Sequence, residues 1–159
     1  MRVEVITYDP LYAPDFARLN YEWIERFFAV EEEDRLALEH PQQYAIAKGG
    51  EIFFVLVDGQ AVGTVAMVPG QSEVGVFELA KMAVQPDQQG RGYGDLLIER
   101  CKSFARDKGA REIMLVTNDV LSPALGLYRK HGFAPVANYS DARYQRGNLQ
   151  MSLQLRVEA

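Results

Sequence analysis

Hydrophobic and polar residues alternate in some stretches of this chain and recur every three to four residues in others, a pattern that predicts both strands and helices. Residues 3–8 (VEVITY) alternate like a half-buried strand. Residues 51–57 and 61–68 are rich in β-branched and aromatic residues and flank the turn signal Asp58 and Gly59, so they predict a hairpin. Further strands are predicted from the stretches VGVFELAKMAV, REIMLVT, FAPVA and LQMSLQL.

Helices are predicted between the first strand and the hairpin. In residues 14–28 large apolar side chains recur at helical spacing. The stretch EEEDRLALEH, residues 31–40, predicts a short helix with an acidic first turn, because acidic side chains favour the N-terminal end of a helix. We expect Pro41 to end this helix.

Helical periodicity returns in the second half of the chain. The helix predicted for residues 92–108 has one apolar face, and Gly109 is its expected C-terminal cap. In the helix that follows, Ser122 is expected to be the N-cap and Pro123 the first helical residue. Gly132 is expected to stop that helix.

Length and composition fit one folded domain over residues 1–159. Antiparallel strands followed by a β-α-β unit predict an α/β fold with a mixed central β-sheet flanked by helices. The formal charge of -5 argues against a surface for nucleic acid. Because no apolar run approaches membrane-spanning length and the first residues lack the apolar core of a signal peptide, we expect no membrane partner. Cys101 is the only cysteine, which excludes an internal disulfide, and we expect a cytoplasmic protein.

Glycines occupy alternate positions, Gly90, Gly92 and Gly94, at the start of the helix predicted after them. A helix that begins in this way exposes unpaired N–H groups, which favour an anion. The spacing does not fit a dinucleotide-binding fingerprint, because the sixth place counted from Gly90 is Asp95, and no glycine here is followed by the lysine of a P-loop. The alternative is a glycine-rich turn that only packs a strand against a helix.

The stretch QGRGYG, residues 89–94, follows a strand that ends in KMAV and precedes a helix, and LYRKHGF occurs downstream. In this arrangement the chain resembles the GNAT acyltransferase superfamily, strongly over residues 77–136 and weakly before Gly50. The resemblance implies a single GNAT-like domain that uses acetyl-CoA. Because the two histidines and the one cysteine lie far apart in the chain, we expect no metal. The glycines would let the pyrophosphate of coenzyme A approach the helix N-terminus, whereas side chains at positions 90, 92 and 94 would hold the phosphates away.

The resemblance also implies which residues hold the donor. The backbone at Met82, Ala83 and Val84 would pair with the pantetheine arm, and the Met82 N–H would face the acyl carbonyl and stabilise an oxyanion. Asn118 would form a hydrogen bond with the pantetheine arm, or it is a turn residue. Arg91 would add a cation near the phosphates, or it is a solvated arginine. The complete set of donor-binding residues is Met82, Ala83, Val84, Gln89, Gly90, Arg91, Gly92, Tyr93, Gly94 and Asn118.

The candidate catalytic residues follow from the same resemblance. Tyr128 matches the tyrosine of the family pattern and would protonate the departing thiolate, because a phenol with a pKa of about 10 stays protonated at neutral pH. The alternative is a core tyrosine. Glu78 matches a strand position that serves as general base in some members, directly or through water, and the alternative is a structural or acceptor-orienting carboxylate. Cys101 lies on the core face of its helix and is expected to pack rather than to act as a nucleophile.

These residues predict an acetyl-CoA-dependent N-acetyltransferase that transfers acetyl directly to the primary amine of a small molecule. The alternatives are a protein or peptide N-acetyltransferase and a non-catalytic acyl-CoA-binding sensor module. Residues 31–34 would attract a cationic amine, or they are an ordinary acidic first turn. We expect acetyl-CoA and an amine acceptor as partners and either a monomer or a homodimer. The loop ANYSDARYQRGN supplies side chains where the family often closes its acceptor pocket, namely Tyr139, Arg143, Tyr144 and Arg146.

Overall fold

The computed structural model describes residues 1–70, 74–118, 121–136 and 149–155. Its strands form a seven-stranded sheet with the order β1-β2-β3-β4-β5-β7-β6 (bounds below). Within the described residues, β4 and β5 run parallel and the other neighbouring strands run antiparallel. The mixed sheet confirms the predicted α/β fold. The strands are β1 (Val3–Ile6), β2 (Glu51–Val57), β3 (Gln60–Pro69), β4 (Val76–Val84), β5 (Glu112–Thr117), β6 (Ala134–Val136) and β7 (Leu149–Gln154).

The helices agree with the predicted periodicity, with one end and one short helix that differ from the prediction. The helix before Pro41 ends at Glu39, as predicted, but Pro41 also begins a further short helix, because a proline fits the first turn, where its missing N–H has no helical partner. The last helix begins at Ser122 itself, so Leu121 and not Ser122 occupies the N-cap position. The helices are α1 (Ala13–Phe27), α2 (Glu32–Glu39), α3 (Pro41–Tyr44), α4 (Tyr93–Asp107) and α5 (Ser122–Lys130).

The sheet is buried on both faces, which explains why β2 reads as a continuous apolar run rather than as an alternating one. The even-numbered β2 residues Ile52 and Phe54 pack into a core with α1 and α2. Phe53 and Val55 point the other way, into a core formed with α4 and α5. We call these the α1/α2 core and the α4/α5 core. The sheet therefore has two distinct faces, and each site residue can be assigned to one of them.

The predicted hairpin between β2 and β3 is confirmed. Asp58 and Gly59 have φ angles of 50° and 82°, which is the conformation that a tight type I′ turn requires of its two central residues. Among the described residues, no helix combines the length and the apolar character needed to cross a lipid bilayer.

Candidate active site

Strands β4 and β5 are paired over only part of their length. The parallel ladder runs from Val76 opposite Glu112 to Glu78 opposite Met114. Beyond that point the described residues show no further pair between these strands, although β5 continues to pair with β7 as far as Thr117. Backbone groups of residues 79–84 on this side of β4 therefore have no strand partner among the described residues, and we call this gap between β4 and β5 the opening. The opening contains the predicted pantetheine-binding segment.

The N-terminus of α4 is open in the way that the glycine spacing predicts. Gly90 and Gly92 have left-handed φ angles of 80° and 84°, and Gly92 occupies the N-cap position without a side-chain cap. The Leu96 N–H bonds the Gly92 carbonyl, so the N–H groups of residues 93–95 precede the first helical hydrogen bond. Because only the turn of residues 85–92 separates α4 from the end of β4, this N-terminus lies at the same end of the sheet as the opening.

Other residues of the glycine motif have structural roles that the sequence did not indicate. The Tyr93 side chain is buried in the α4/α5 core, so its backbone rather than its ring is available at the loop. Gln89 donates from Nε2 to the Val84 carbonyl oxygen at 3.1 Å and thereby ties the loop to the end of β4. Arg91 is exposed beside the glycines, as both of its interpretations require.

Gly94 is explained by helix packing. Its φ is not in the left-handed region, and a Cβ built on it would lie 2.8 Å from Cδ2 of Leu127 on α5. A real Cβ does not approach a carbon atom that closely, so the absence of a side chain lets α5 pack against the first turn of α4. Gly94 therefore has a packing explanation in addition to the phosphate interpretation. A Cβ at Gly90 would meet no atom within 4 Å, and a Cβ at Gly92 would meet only Oδ2 of Asp95, at 4.0 Å, so packing does not explain these two glycines.

An acidic residue in the first turn of α4 is neutralised by its neighbours. Oδ1 of Asp95 lies 2.9 Å from Nζ of Lys130 and 2.7 Å from Nε2 of His131. Hydrogen bonds from Lys130 and then His131 lower the pKa of Asp95 below its usual value. These partners offset a carboxylate charge that would otherwise oppose an anion at this helix end.

Glu78 and Tyr128 lie on opposite faces of the sheet. Glu78 is buried and is directly opposite Val68 of β3, and paired residues share a face, so it lies on the side of the α1/α2 core. Tyr128 is buried in the α4/α5 core, with its ring centroid 6.0 Å from that of Phe133. Burial raises the pKa of Tyr128 to about 12, so the phenol keeps its proton throughout the neutral range.

Strand β4 contains a bulge that the sequence interpretation missed. Between the pairs that Ala80 and Ala83 make with β3, both Lys81 and Met82 face the single residue Val65. Lys81 has a φ of 55°, which is uncommon for a residue with a side chain. A lysine in the middle of the apolar stretch VFELAKMAV is the sequence signal that could have drawn attention to this position.

The acidic run at residues 31–34 is not a uniform exposed surface. Asp34 is fully buried, bonds Lys81 through Oδ1 and accepts the Glu31 N–H through Oδ2 at 2.8 Å. Glu32 forms an exposed ion pair with Arg35 on the same helix, at 3.7 Å. The interpretation of this run as an acidic first turn therefore accounts for Asp34, whose charge is directed into the protein.

Of the remaining predicted residues, Asn118 and Cys101 lie in the described part of the chain and the acceptor-loop residues do not. Asn118 directly follows β5, is partly buried and lies at the same end of the sheet as Met82–Val84. Cys101 is fully buried and burial raises its pKa, which fits the packing role predicted for it. The described ranges contain no group of three His, Cys, Asp or Glu side chains able to hold a metal ion. The acceptor-loop residues lie outside the described residues, namely Tyr139, Arg143, Tyr144 and Arg146.

Comparison with solved structures shows the same fold in acetyltransferases. An acetyltransferase of the GNAT family from Staphylococcus aureus Mu50 superimposes with a TM-score of 0.86 at 17% identity, covering 98% of this chain and 100% of that one. A putative acetyltransferase from Salmonella typhimurium, solved with its cofactor acetyl-CoA, gives a TM-score of 0.76 at 20% identity and covers 100% of this chain and 97% of that one.

Sequence comparison gives the family. N-acetyltransferase family 8 member 2 of Rattus norvegicus is 32% identical over 87 residues, which is 51% of this chain and 37% of the relative. Streptothricin acetyltransferase of Streptomyces lavendulae is 39% identical over 51 residues, which is 32% of this chain and 27% of the relative. The chain thus spans well under half of the length of these curated relatives. The model of the acetyltransferase (GNAT) family matches residues 17–133. This chain belongs to the acetyltransferase (GNAT) family.

Proposed function

We propose that this protein is an acetyl-CoA-dependent N-acetyltransferase that transfers acetyl directly to the primary amine of a small molecule. The observation that supports this most strongly is the position of the uncapped N-terminus of α4 at the same end of the sheet as the opening between β4 and β5. A ligand with an anionic centre and an extended amide-containing arm fits these two features together.

The residues present fit the donor. The N–H groups at the start of α4 would bind its pyrophosphate, because they have neither a helical acceptor nor a side-chain cap. The edge of β4 at residues 82–84, which has no partner strand in the described part of β5, would bind the amides of the pantetheine arm as an added strand does, with Asn118 at the end of the neighbouring strand. Bound acetyl-CoA would supply an activated thioester in the opening.

The chemistry requires a group that accepts a proton from the amine and one that donates a hydrogen bond to the departing sulfur. Glu78 would take the proton from the acceptor, directly or through water, on the α1/α2 face. Tyr128 would donate a hydrogen bond from its hydroxyl to the departing sulfur from the α4/α5 face, and its raised pKa keeps the hydroxyl protonated until the thiolate forms. The Met82 N–H would stabilise the negative charge that develops on the acyl oxygen.

Direct transfer is favoured over an acyl-enzyme intermediate. Cys101 is the only cysteine of the chain, is fully buried and has a raised pKa, so it is not an activated nucleophile. A small acceptor is favoured over a peptide because a peptide acceptor would need an open acidic groove, and the acidic run offers only Glu32 and Glu33 as exposed side chains while Asp34 is buried. The peptide acceptor and the non-catalytic sensor remain outcomes of the test.

The test measures acetyl-CoA binding and then turnover. We expect acetyl-CoA and CoA to raise the melting temperature, because a ligand that binds only the native state stabilises it. Thiol release is then followed with polyamines, arylamines, amino acids and short lysine-containing peptides. Turnover of small amines supports the proposal, and turnover of peptides alone indicates the protein acceptor. Binding without turnover on any amine indicates a sensor, and no binding of any CoA ester rejects the proposal.

A further inference from the structure

A buried ion pair joins strand β4 to helix α2 beside the opening. Nζ of Lys81 lies 2.9 Å from Oδ1 of Asp34, and the two side chains are 5% and 0% exposed. The second carboxylate oxygen accepts the Glu31 N–H at 2.8 Å. Such a pair is a poor source of stability, because removing both charges from water offsets much of their attraction. A role other than stability therefore explains the pair better.

The cation of this pair belongs to the residue that forms the β4 bulge. Lys81 has a φ of 55°, and a side-chain-bearing residue keeps such a conformation only where its surroundings hold it. Its ammonium group is held by Asp34 on α2. The next residue, Met82, packs its side chain against the α4/α5 core. The bulge is thus anchored from both faces of the sheet.

The bulge lies beyond the last pair between β4 and β5, which is Glu78 opposite Met114. One extra residue in a strand changes the direction of the backbone groups that follow it. The first of these groups is the Met82 N–H, which in the proposed function donates a hydrogen bond to the acyl oxygen of the donor. Hydrogen-bond donors to a developing oxyanion act at about 2.7–3.1 Å, so a small change in the bulge would weaken this one.

We propose that Lys81 is a positioning residue, whose ion pair with Asp34 holds the β4 bulge so that the Met82 N–H faces the acyl carbonyl of the donor. Helix α2 packs into the same core as Val68, the strand partner of Glu78. The ion pair therefore makes the donor geometry depend on the helix that covers the face where the acceptor is expected. This inference rests on the proposed function.

The test removes both charges with the double variant Lys81→Met/Asp34→Asn, so that neither ion is left buried and unpaired. Asp34→Asn alone is the second variant, and Lys81→Arg keeps the charge. Arg35→Gln is the matched control, because it removes an exposed ion pair from the same helix and lies outside the acidic run of residues 31–34. For each protein we measure kcat with the best amine, the Kd for acetyl-CoA and for CoA, and the melting temperature.

We expect the double variant to lose roughly 10²–10³ in kcat, the loss found when one oxyanion donor is removed. CoA affinity should stay unchanged, and the difference between acetyl-CoA and CoA affinity should disappear, because only acetyl-CoA carries the carbonyl. Asp34→Asn should shift the same quantities in the same direction. Lys81→Arg and Arg35→Gln should keep most of the wild-type kcat.

A folded double variant with wild-type kcat overturns the inference. If that variant does not fold, the Asp34→Asn variant provides the test. Wild-type kcat together with an intact preference for acetyl-CoA over CoA in Asp34→Asn also overturns the inference. The inference is also overturned if both variants lose their fold, or if kcat, CoA affinity and melting temperature all fall together. Either result assigns the ion pair a purely structural role. These outcomes differ from failure of the proposed function, in which the wild-type protein itself binds or turns over no acetyl-CoA.

Discussion

Gly94 in the first turn of α4 lies against Leu127 of α5, so close that a Cβ on Gly94 would be 2.8 Å from the leucine Cδ2. A close contact between two helices, rather than a special backbone angle, therefore distinguishes this glycine. The same helix turn that exposes N–H groups to the proposed donor is also a packing surface for the helix that carries Tyr128.

We expect Gly94→Ala to be destabilised through this contact. Overpacking costs about 1–3 kcal/mol, against a gain of about 1 kcal/mol in helix propensity from replacing glycine. Gly126→Ala is the control, because a Cβ at Gly126 in α5 meets nothing within 4 Å and the propensity gain stands alone. Urea unfolding should rank Gly126→Ala above Gly94→Ala in stability. Addition of Leu127→Ala should then cost less in the Gly94→Ala background than in the wild type, and independent effects would contradict the proposed contact.

Gly92→Val should weaken acetyl-CoA binding. Its φ of 84° makes any side chain unfavourable, and a valine at the N-cap would also obstruct an anion approaching the α4 N-terminus. Gly109→Val is the matched control, since Gly109 follows the other end of α4 with a φ of 73°. Calorimetric titration should show lower acetyl-CoA affinity for Gly92→Val alone. Equal affinity in both folded variants would remove the loop from the donor site.

Tyr128→Phe should separate chemistry from binding. The ring that packs against Phe133 is kept, so the melting temperature should change little. If the hydroxyl assists the departing sulfur, kcat should fall by roughly 10²–10⁴ while the Kd for acetyl-CoA stays constant. A variant with wild-type kcat would refute the assignment. In the wild type, the pKa of about 12 predicts that deprotonation of Tyr128 contributes no decline in kcat between pH 7 and 10.

Glu78→Gln tests the general base. The change keeps the size of a buried side chain and removes its ability to take a proton. We expect kcat/KM to fall by roughly 10²–10⁴ at neutral pH and to recover as the pH approaches the pKa of the acceptor amine, because the free amine needs no base. A constant deficit at all pH values would indicate that Glu78 orients the acceptor instead.

Cys101 should make the protein less stable in alkali. Burial raises the pKa of its thiol in the folded state, while the unfolded thiol ionises near pH 8.5. The unfolded state therefore loses a proton that the folded state keeps, and this contribution to stability is complete below about pH 8.5 and declines above it. The decline should be about 2 kcal/mol by pH 10. Urea unfolding of Cys101→Ala should lack this part of the pH dependence, and identical slopes for the two proteins would contradict it.

Local chemistry was enough to predict most of the elements. The hairpin at Asp58 and Gly59 and the helix after the glycines follow from turn preferences and apolar spacing over a few residues, and the structure contains both. The glycine loop and the downstream stretch LYRKHGF were also enough to predict the family. The error at Ser122 and the unpredicted short helix that begins at Pro41 both concern helix ends, where capping contacts compete within one or two residues.

Local patterns and motifs were therefore sufficient for the order of the elements along the chain, the fold class and the candidate residues of a donor site. Three features emerge only when the chain folds: the point where β4 leaves β5, the contact of Gly94 with Leu127, and the ion pair of Lys81 with Asp34, which is 47 residues away in the chain. Periodicity and turn chemistry act between neighbours along the chain, whereas strand register, helix contacts and buried ion pairs depend on distant segments reaching the same place. A pattern within one segment does not contain the position of its partner.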